Sequence, residues 1–375
     1  MPEHRLINAK RVVVKLGSNV ITADNSLDYG VIDSISAQIA ALVDRGMEVI
    51  LVSSGAMAAG LKKMHMSRRP DEIPKRQAIS AIGQPGVMNA YEKSFKKHGK
   101  KVAQILLTGE DLNNRKRYLN ARNTLNTLIE WDVVPIVNEN DTIMVEEIKV
   151  GDNDNLAAMI ALLMDAHFLF ILTDIDGLYD RDPRQDSNAK LISRVCDIRD
   201  ETERAASAMP GVLGTGGMLS KIHAARKVTS AGIPMIIARG NAENVLARLF
   251  SGEGLGTYFV PRNRKMASRK CWIAYTLVPK GSIVIDDGAV KAVRQNGKSL
   301  LPIGVVDVQG SFEQGAAVVF ENLAGEVIGT GLVNYNSSDI NLIKGLKTSQ
   351  IESCLGGKHY DEVIHRNNLV LKDCC

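Results

Sequence analysis

The feature that most constrains the fold of this chain is an alternation of short, continuously apolar segments with segments whose apolar residues recur at helical spacing. Residues 12–16 are a β-branched run, Val31, Ile35 and Ile39 indicate a helix, and residues 47–55 predict the next strand. Apolar strands that alternate with helices predict an α/β fold, a mostly parallel sheet sandwiched by helices. The pattern continues with strands at 102–107, 133–141, 167–174 and 233–240 and with helices at 87–97, 119–131, 156–164 and 220–231.

The composition and hydrophobic pattern of the sequence change after Gly256, and this change predicts a second domain. Residues 261–275 contain five basic residues and no acidic one, and short strand-like runs separated by Gly or Asn turns follow them. We therefore predict an α/β domain at 1–260, a basic linker at 261–275, and a small β-rich domain with a C-terminal tail at 276–375. A chain of 375 residues is long enough for this division.

Charge and cysteine content narrow the classes of function. The net charge is +4, and residues 276–375 hold nine Lys and Arg against eleven Asp and Glu, which is unfavourable for binding nucleic-acid phosphates. The five cysteines show no C-x-x-C spacing, which argues against a disulfide framework or a zinc site and favours a cytoplasmic location. No membrane span is expected, because Asp165 and His167 interrupt the most hydrophobic stretch, 156–172.

Six segments at strand ends or helix starts are rich in Gly, Ser, Thr, Asn and Asp. Glycine allows backbone amides to approach an anion closely, and the amino ends of helices attract negative charge. Ligands of such sheets bind at the carboxyl ends of the strands, so this pattern predicts a site for a multiply phosphorylated ligand. The segments are 15–19, 53–60, 138–142, 151–155, 173–179 and 214–221.

Two familiar nucleotide-binding motifs are incomplete in this sequence. Residues 297–299 look like the end of a phosphate-binding loop, but Ala292 stands where the first glycine of that loop belongs. Residues 214–219 begin a G-x-G-x-x-G pattern but end in Leu219. A P-loop or a dinucleotide-binding fold is therefore poorly supported.

The polar segments, taken in order, resemble the motifs of the glutamate 5-kinases within the amino acid kinase family. The likeness spans about residues 10–260 and is most specific where NARNTLN and NENDT are followed by VGDNDN. From about Lys280, with IDDGAV and GTGLVNYNSSD, the sequence resembles a PUA domain. The resemblance implies an amino-acid-kinase-like sheet sandwiched by helices and a small PUA-like β barrel. It also implies transfer of the ATP γ-phosphoryl group to the side-chain carboxylate of L-glutamate, the first step of proline biosynthesis.

The resemblance assigns catalytic roles to three residues at matching positions. Lys15 and Lys221 would hold the phosphates and the transferring group, and Asp154 would orient both lysines. No general base is needed, because a carboxylate with an ordinary pKa of about 4.3 is already ionised at neutral pH. Mg²⁺ is expected on the ATP phosphates, with no metal site built from protein ligands alone.

The resemblance also assigns the two substrate sites. Ser54, Asp141 and Asn153 match glutamate-binding positions, and Asp141 is suited to pair with the substrate ammonium. It further implies a homo-oligomer and makes proline a candidate feedback inhibitor. The positions that match the ATP-binding segments are Lys15, Thr173, Asp174, Thr215, Gly216, Gly217, Met218, Leu219, Ser220 and Lys221.

Each assignment has a structural alternative. Lys15 could be a solvated lysine at a strand end, Ser54 could cap a helix, and Asp141, Asn153 and Asp154 could form turns. The function has two alternatives as well. One is a kinase of the same fold that acts on another acid, such as aspartate or N-acetylglutamate. The other is an RNA-binding factor that acts through its PUA-like domain.

Overall fold

The computed structural model describes residues 6, 8–23, 26–143, 153–198, 202, 217–262 and 268–372. The chain divides into two compact units, Met1–Lys265 and Met266–Cys375. Each unit has a hydrophobic core of its own. The boundary between the units lies within the segment 261–275.

The first unit is built on a sheet whose strands are short and mostly buried. Its strands are β1 Arg11–Leu16, β2 Thr22–Ala23, β3 Ser26–Leu27, β4 Glu48–Ser53, β5 Lys101–Leu107, β6 Val133–Glu139, β7 Phe168–Thr173, β8 Arg194–Val195, β9 Met235–Arg239 and β10 Thr257–Phe259. Strands β2 and β3 pair with each other, and the other eight form one sheet in the order β5–β6–β4–β1–β7–β9–β10–β8. Neighbouring strands are parallel except for β9 and β10. The carboxyl ends of β1, β4, β6, β7 and β9 therefore lie along the same edge of the sheet.

Some helices of the first unit begin at polar residues whose side chains satisfy free amides of the first turn. The side chain of Asp28 accepts a hydrogen bond from the Val31 amide, and Asn114 accepts from the amides of Lys116 and Arg117. The helices are α1 Ser18–Ile21, α2 Tyr29–Asp44, α3 Ala56–Lys63, α4 Ile73–Lys96, α5 Gly109–Asn113, α6 Arg115–Glu130, α7 Asn153–Leu163, α8 Met218–Ser230 and α9 Val245–Phe250.

The centre of the sheet explains why its strands are apolar throughout. Every residue of β7 is buried, and so is every residue of β1 after Arg11. Such strands have no solvent-facing side, and each fully buried Val, Leu or Phe side chain contributes about 1.5–3 kcal/mol. Lys15 lies in β1 and is only 5% exposed. A lysine buried there requires an ionic partner.

Helix α4 is longer than the sequence predicts. The prediction placed a helix at 87–97, whereas α4 begins at Ile73 and continues through Pro85. Proline inside a helix normally costs about 3 kcal/mol. The first half of α4 nevertheless stays helical because it packs closely on α3, with Gly83 against the backbone of Ala56 and Gly60.

The second unit contains a five-stranded sheet. Its strands, in the order β12–β11–β13–β14–β15, are β11 Ser282–Ile285, β12 Val305–Gln309, β13 Ala317–Asn322, β14 Val327–Leu332 and β15 Leu369–Leu371. Its helices are α10 Ser268–Tyr275, α11 Asp287–Arg294, α12 Ser337–Ile343 and α13 Ile351–Leu355. This β-rich unit agrees with the fold class predicted for the C-terminal part of the chain.

Two parts of the second unit are more helical than the sequence suggests. The strand-like run at 281–290 turns into α11 after Ile285, because the Asp286 side chain accepts a hydrogen bond from the Ala289 amide and starts a helix. The predicted linker contains α10, in which Cys271, Trp272 and Ile273 are buried. In the part of the chain that the structure describes, no helix is both long and apolar enough to cross a membrane.

Candidate active site

Two lysines and one aspartate meet in the interior of the first unit, where β1 ends and α7 and α8 begin. Nζ of Lys15 lies 2.5 Å from Oδ1 of Asp154, the second residue of α7. Nζ of Lys221, near the start of α8, lies 3.0 Å from Oδ2 of the same carboxylate. Lys15 and Lys221 are each 5% exposed and Asp154 is 0% exposed. Two cations share one carboxylate here, and the formal charges of these three residues sum to +1.

The environment of Asp154 keeps it ionised. Burial raises its pKa, but the charges of Lys15 and Lys221 outweigh burial and hold the pKa well below its usual range. The hydroxyl of Ser220 lies 2.7 Å from Oδ2 of Asp154 and stabilises the charged form further. Asp154 also lies in the first turn of α7, where the helix dipole favours a negative charge.

The amino end of α8 adds backbone amides to the same region. Gly217 precedes this helix, and no side chain among the described residues caps it. Met218 is buried, and Leu219 and Ser220 are partly buried. The first turn of the helix, with Lys221 at its end, is therefore suited to binding an anion. Two predicted nucleotide-binding residues, Thr215 and Gly216, lie outside the described residues.

A network of buried amide side chains lies beside the charged group. Nδ2 of Asn153 donates to Oγ of Ser54 at 2.8 Å and to Oδ1 of Asn138, in β6, at 3.0 Å. Asn138 in turn donates through Nδ2 to Oε1 of Gln84, in α4, at 2.9 Å. Ser54 follows β4 and precedes Gly55, whose φ of 102° is the left-handed conformation that glycine adopts readily. Because Asn153 directly precedes Asp154, the amide network and the charged group are adjacent.

Asp141 lies in a short 3₁₀ turn after β6 and lines a cavity of about 470 Å³ with Ser80 and Gln84. Burial raises the pKa of the Asp141 carboxyl above its ordinary value, although a hydrogen bond with Ser80 and the charge of Arg69 act in the opposite direction. A carboxylate in this setting gains from pairing with a ligand cation.

Asp174, which follows Thr173 at the end of β7, provides another carboxylate in this region. Oδ1 of Asp174 accepts a hydrogen bond from Oγ1 of Thr173 at 3.0 Å, and Oδ2 accepts from Nδ2 of Asn19 at 2.9 Å. Burial raises the pKa of Asp174, but these hydrogen bonds and the charge of Lys221 give a net lowering. Asp174 is thus a fixed carboxylate that lies within the electrostatic range of Lys221.

The structure brings most of the residues predicted from the sequence into one region. Lys15, Asp154 and Lys221 form one contact group, and Ser54 contacts Asn153. Asp141 lies next to these residues, because it lines the same cavity as Gln84, whose side chain belongs to the hydrogen-bond network of Asn153. Among the residues that the structure describes, no group of three or more His, Cys, Asp or Glu side chains could hold a metal ion.

Four side chains of this region were not identified from the sequence as site residues. Asn138 could have been found, because an amide that ends a buried apolar strand is unusual. Asn19 ends the polar segment 15–19, but nothing in the sequence assigns it a role. Ser80 and Gln84 gave no signal, because their partners lie far away along the chain.

The chain is similar to known families and proteins over nearly its whole length. The Amino acid kinase family matches residues 10–239, and the PUA domain matches residues 281–355. The glutamate 5-kinase of Syntrophus aciditrophicus is 50% identical over 369 residues, which cover 98% of this chain and 96% of that protein. The glutamate 5-kinase of Geobacter sulfurreducens is 48% identical over 367 residues, 98% of either chain. Among solved structures, carbamate kinase from Giardia lamblia bound to AMP-PNP aligns with a TM-score of 0.49 and 17% identity, over 68% of this chain and 100% of that one.

Proposed function

The chain belongs to the amino acid kinase family, and from that premise we propose that it is a glutamate 5-kinase, which transfers the γ-phosphoryl group of ATP to the side-chain carboxylate of L-glutamate. The relatives of 48–50% identity support this substrate, since their similarity covers almost the whole chain. The observation that carries the proposal is the buried group of Lys15, Asp154 and Lys221. This group provides positive charge where the reaction must bring two anions together.

The chemistry needs positioning and charge more than proton transfer. A glutamate carboxylate is already ionised at neutral pH, so one of its oxygens attacks the γ-phosphorus directly while the bond from that phosphorus to the β–γ bridging oxygen breaks. ADP leaves, an acyl phosphate forms, and no proton is transferred. The barrier arises from repulsion between the carboxylate and the polyphosphate, and fixed cations lower it.

Lys15 and Lys221 are the residues we assign to that task. Both lysines form ion pairs with the carboxylate of Asp154. These ion pairs offset the repulsion between the two ammonium groups and fix their positions. Because one negative charge offsets only one of the two cations, the group keeps a net positive charge for the transferring phosphoryl group. A rigid, buried arrangement of this kind costs no reorganisation during the reaction.

The nucleotide subsite lies, in this proposal, along the ends of β1 and β7 and the start of α8. It comprises Lys15, Thr173, Asp174 and the segment from Thr215 to Lys221. Mg²⁺ would be held by the ATP phosphates, since both oxygens of Asp154 and both of Asp174 already take part in contacts with protein side chains. The ion would neutralise charge on the phosphates.

The amino acid subsite comprises Ser54, Asp141 and Asn153. Asp141 favours a substrate with a free ammonium group, which speaks against N-acetylglutamate because its nitrogen carries no charge. We assign the reaction to the domain predicted at 1–260, since all these residues lie in it. The cytoplasm is the proposed location, because the five cysteines of the sequence lack the spacing of a disulfide framework or a zinc site. Homo-oligomerisation and inhibition by proline belong to the proposal as implications of the family resemblance.

The test is a coupled assay of the purified protein with ATP, Mg²⁺ and L-glutamate. We expect ADP release that depends on L-glutamate, together with an acyl phosphate that hydroxylamine traps as a hydroxamate. A protein that hydrolyses ATP at the same rate with and without glutamate, and that yields no hydroxamate, would contradict the proposal.

A further inference from the structure

Helix α4 presents two polar side chains near the amino acid subsite, one to Asp141 and one to Asn138, which in turn contacts Asn153. Ser80 is only 3% exposed and hydrogen-bonds to Asp141. Gln84 accepts a hydrogen bond from Nδ2 of Asn138 at 2.9 Å. Residues four apart on a helix lie on the same face, so both side chains leave α4 in the same direction.

The three amides of Gln84, Asn138 and Asn153 form a directional chain of hydrogen bonds. Because Oε1 of Gln84 accepts from Nδ2 of Asn138, the other end of the Asn138 amide, its Oδ1, is left to accept from Asn153. Nδ2 of Asn153 then donates to both Asn138 and Ser54. We call these three residues the amide relay.

The relay leaves one acceptor unused. Asn153 is only 8% exposed, and its Oδ1 has no hydrogen-bond partner among the described residues. Buried polar atoms are nearly always paired, so this oxygen requires a donor that a ligand would supply. The Nδ2 of the same amide donates to Ser54, and Asp154 of the charged group follows Asn153 directly in the chain.

We propose that Gln84 and Ser80 are positioning residues for recognition of the substrate ammonium, with Gln84 setting the direction of the amide relay and Ser80 orienting Asp141. This inference rests on the proposed function. Gln84 fixes Asn153 so that Oδ1, an acceptor, faces the substrate. An α-amino acid with a free ammonium is the ligand class that suits one free amide oxygen and one carboxylate. If the relay ran in the opposite direction, Asn153 would present a donor and would favour a carboxylate instead.

Two substitutions of Gln84 separate these possibilities. Gln84→Met removes the acceptor, and we expect it to raise KM for L-glutamate about tenfold while KM for ATP stays unchanged. The buried Nδ2 of Asn138 loses its partner, so we expect a folded protein with a modestly lower melting temperature. Gln84→Glu keeps an acceptor of the same length, and we expect it to hold KM for L-glutamate within about threefold of the wild type. Lys93→Met, an exposed position on the same helix, is the control and should leave both KM values unchanged.

Each outcome of this experiment decides a different claim. Wild-type protein without glutamate-dependent ADP release would overturn the proposed function itself. Active wild type with an unchanged KM for L-glutamate in Gln84→Met would overturn the relay and leave the function intact. Loss of glutamate binding in a folded Gln84→Glu variant would overturn the assigned direction of the relay. If Gln84→Met fails to fold, Gln84→Glu still tests the proposal, because loss of glutamate binding in that folded variant would overturn it.

Discussion

Asp154 determines the charge balance of the site, because two buried lysines depend on it. Replacing it by asparagine keeps the shape but removes the carboxylate that pairs with both Lys15 and Lys221. We expect Asp154→Asn to lower the free energy of unfolding by about 3–5 kcal/mol and kcat by about 100-fold or more. Urea unfolding and steady-state kinetics measure the two effects.

The matched control for Asp154 is an aspartate whose own side chain is exposed to solvent. Asp44 pairs with Lys100, and its side chain is 63% exposed. Asp44→Asn should change the free energy of unfolding by less than about 1 kcal/mol and leave kcat unaltered. Equal effects of the two substitutions on the free energy of unfolding and on kcat would contradict the role assigned to the buried Asp154.

We expect Asp141 to make glutamate recognition depend on pH in a defined direction. Its pKa is raised by burial and lowered in part by the hydrogen bond with Ser80. The protonated acid cannot pair with an ammonium, so kcat/KM for L-glutamate should fall as the pH decreases through this raised pKa. Removing the hydroxyl in Ser80→Ala raises the pKa further, and the acidic limb of the profile should therefore move to higher pH.

A comparison of variants separates this effect from titration of the substrate. The side-chain carboxyl of free glutamate titrates identically in every assay, so it cannot move the acidic limb between variants. Ser94→Ala removes another buried hydroxyl of α4, one that contacts Asp33 and not Asp141, and should give the wild-type profile. An acidic limb that stays in place in Ser80→Ala would contradict the role of Asp141.

At the scale of single residues, the sequence revealed charged positions better than neutral ones. Lys15 lies just before Gly17, and Lys221 lies just after the glycine-rich segment 214–217. A lysine is unusual at each of these positions, which is why both could be identified as site candidates. The partners of Ser80 and Gln84 are set by how α4 packs against the sheet. No local pattern encodes that packing, so the amide relay could be found only in three dimensions.

The crossing of α3 and α4 is the element-scale feature on which the amino acid subsite depends. A methyl group on Gly83 would overlap the carbonyl oxygen of Ala56 and the backbone of Gly60. Gly83→Ala should therefore separate the helices, cost about 1–3 kcal/mol of stability and raise KM for L-glutamate. Thermal unfolding and kinetics with varied glutamate measure this.

Gly86 provides the control on the same helix. A methyl group there would lie 3.7 Å from Cβ of Ala59, an ordinary contact. Gly86→Ala should be neutral or stabilise the protein by up to about 1 kcal/mol through helix propensity. If both alanine variants behave alike, close packing at Gly83 does not position α4.

The central strands β1, β4, β6, β7 and β9 were predictable because they are largely buried and hence mostly apolar, whereas the short strands β2, β3, β8 and β10 were not predicted. The first half of α4 was missed because Pro85 usually ends a helix, and its packing on α3 overrides that tendency. In the second unit, α11 was predicted as a strand because the helix is one of only two to three turns and its start depends on a single capping residue, Asp286. Local sequence therefore predicted regular, buried elements well and context-dependent ends poorly.

At the scale of the whole molecule, the described site residues all lie in the first of two units, and each unit has its own core. A fragment ending at Lys265 should therefore fold and keep kcat within about a factor of three of the full chain. Circular dichroism melting confirms folding, and the ADP-release assay measures kcat. A folded fragment without activity would show that the second unit takes part in catalysis.

The central claim is that the protein phosphorylates the side-chain carboxylate of an amino acid with the length of glutamate and a free ammonium. The most direct measurement is kcat/KM for a panel of L-glutamate, L-aspartate and N-acetyl-L-glutamate under identical conditions with Mg²⁺ and ATP. We expect L-glutamate to exceed each of the other two by about 100-fold or more, because the others leave a buried polar group unpaired or lack the ammonium. Equal kcat/KM for aspartate or N-acetylglutamate, or no reaction with glutamate, would contradict the account.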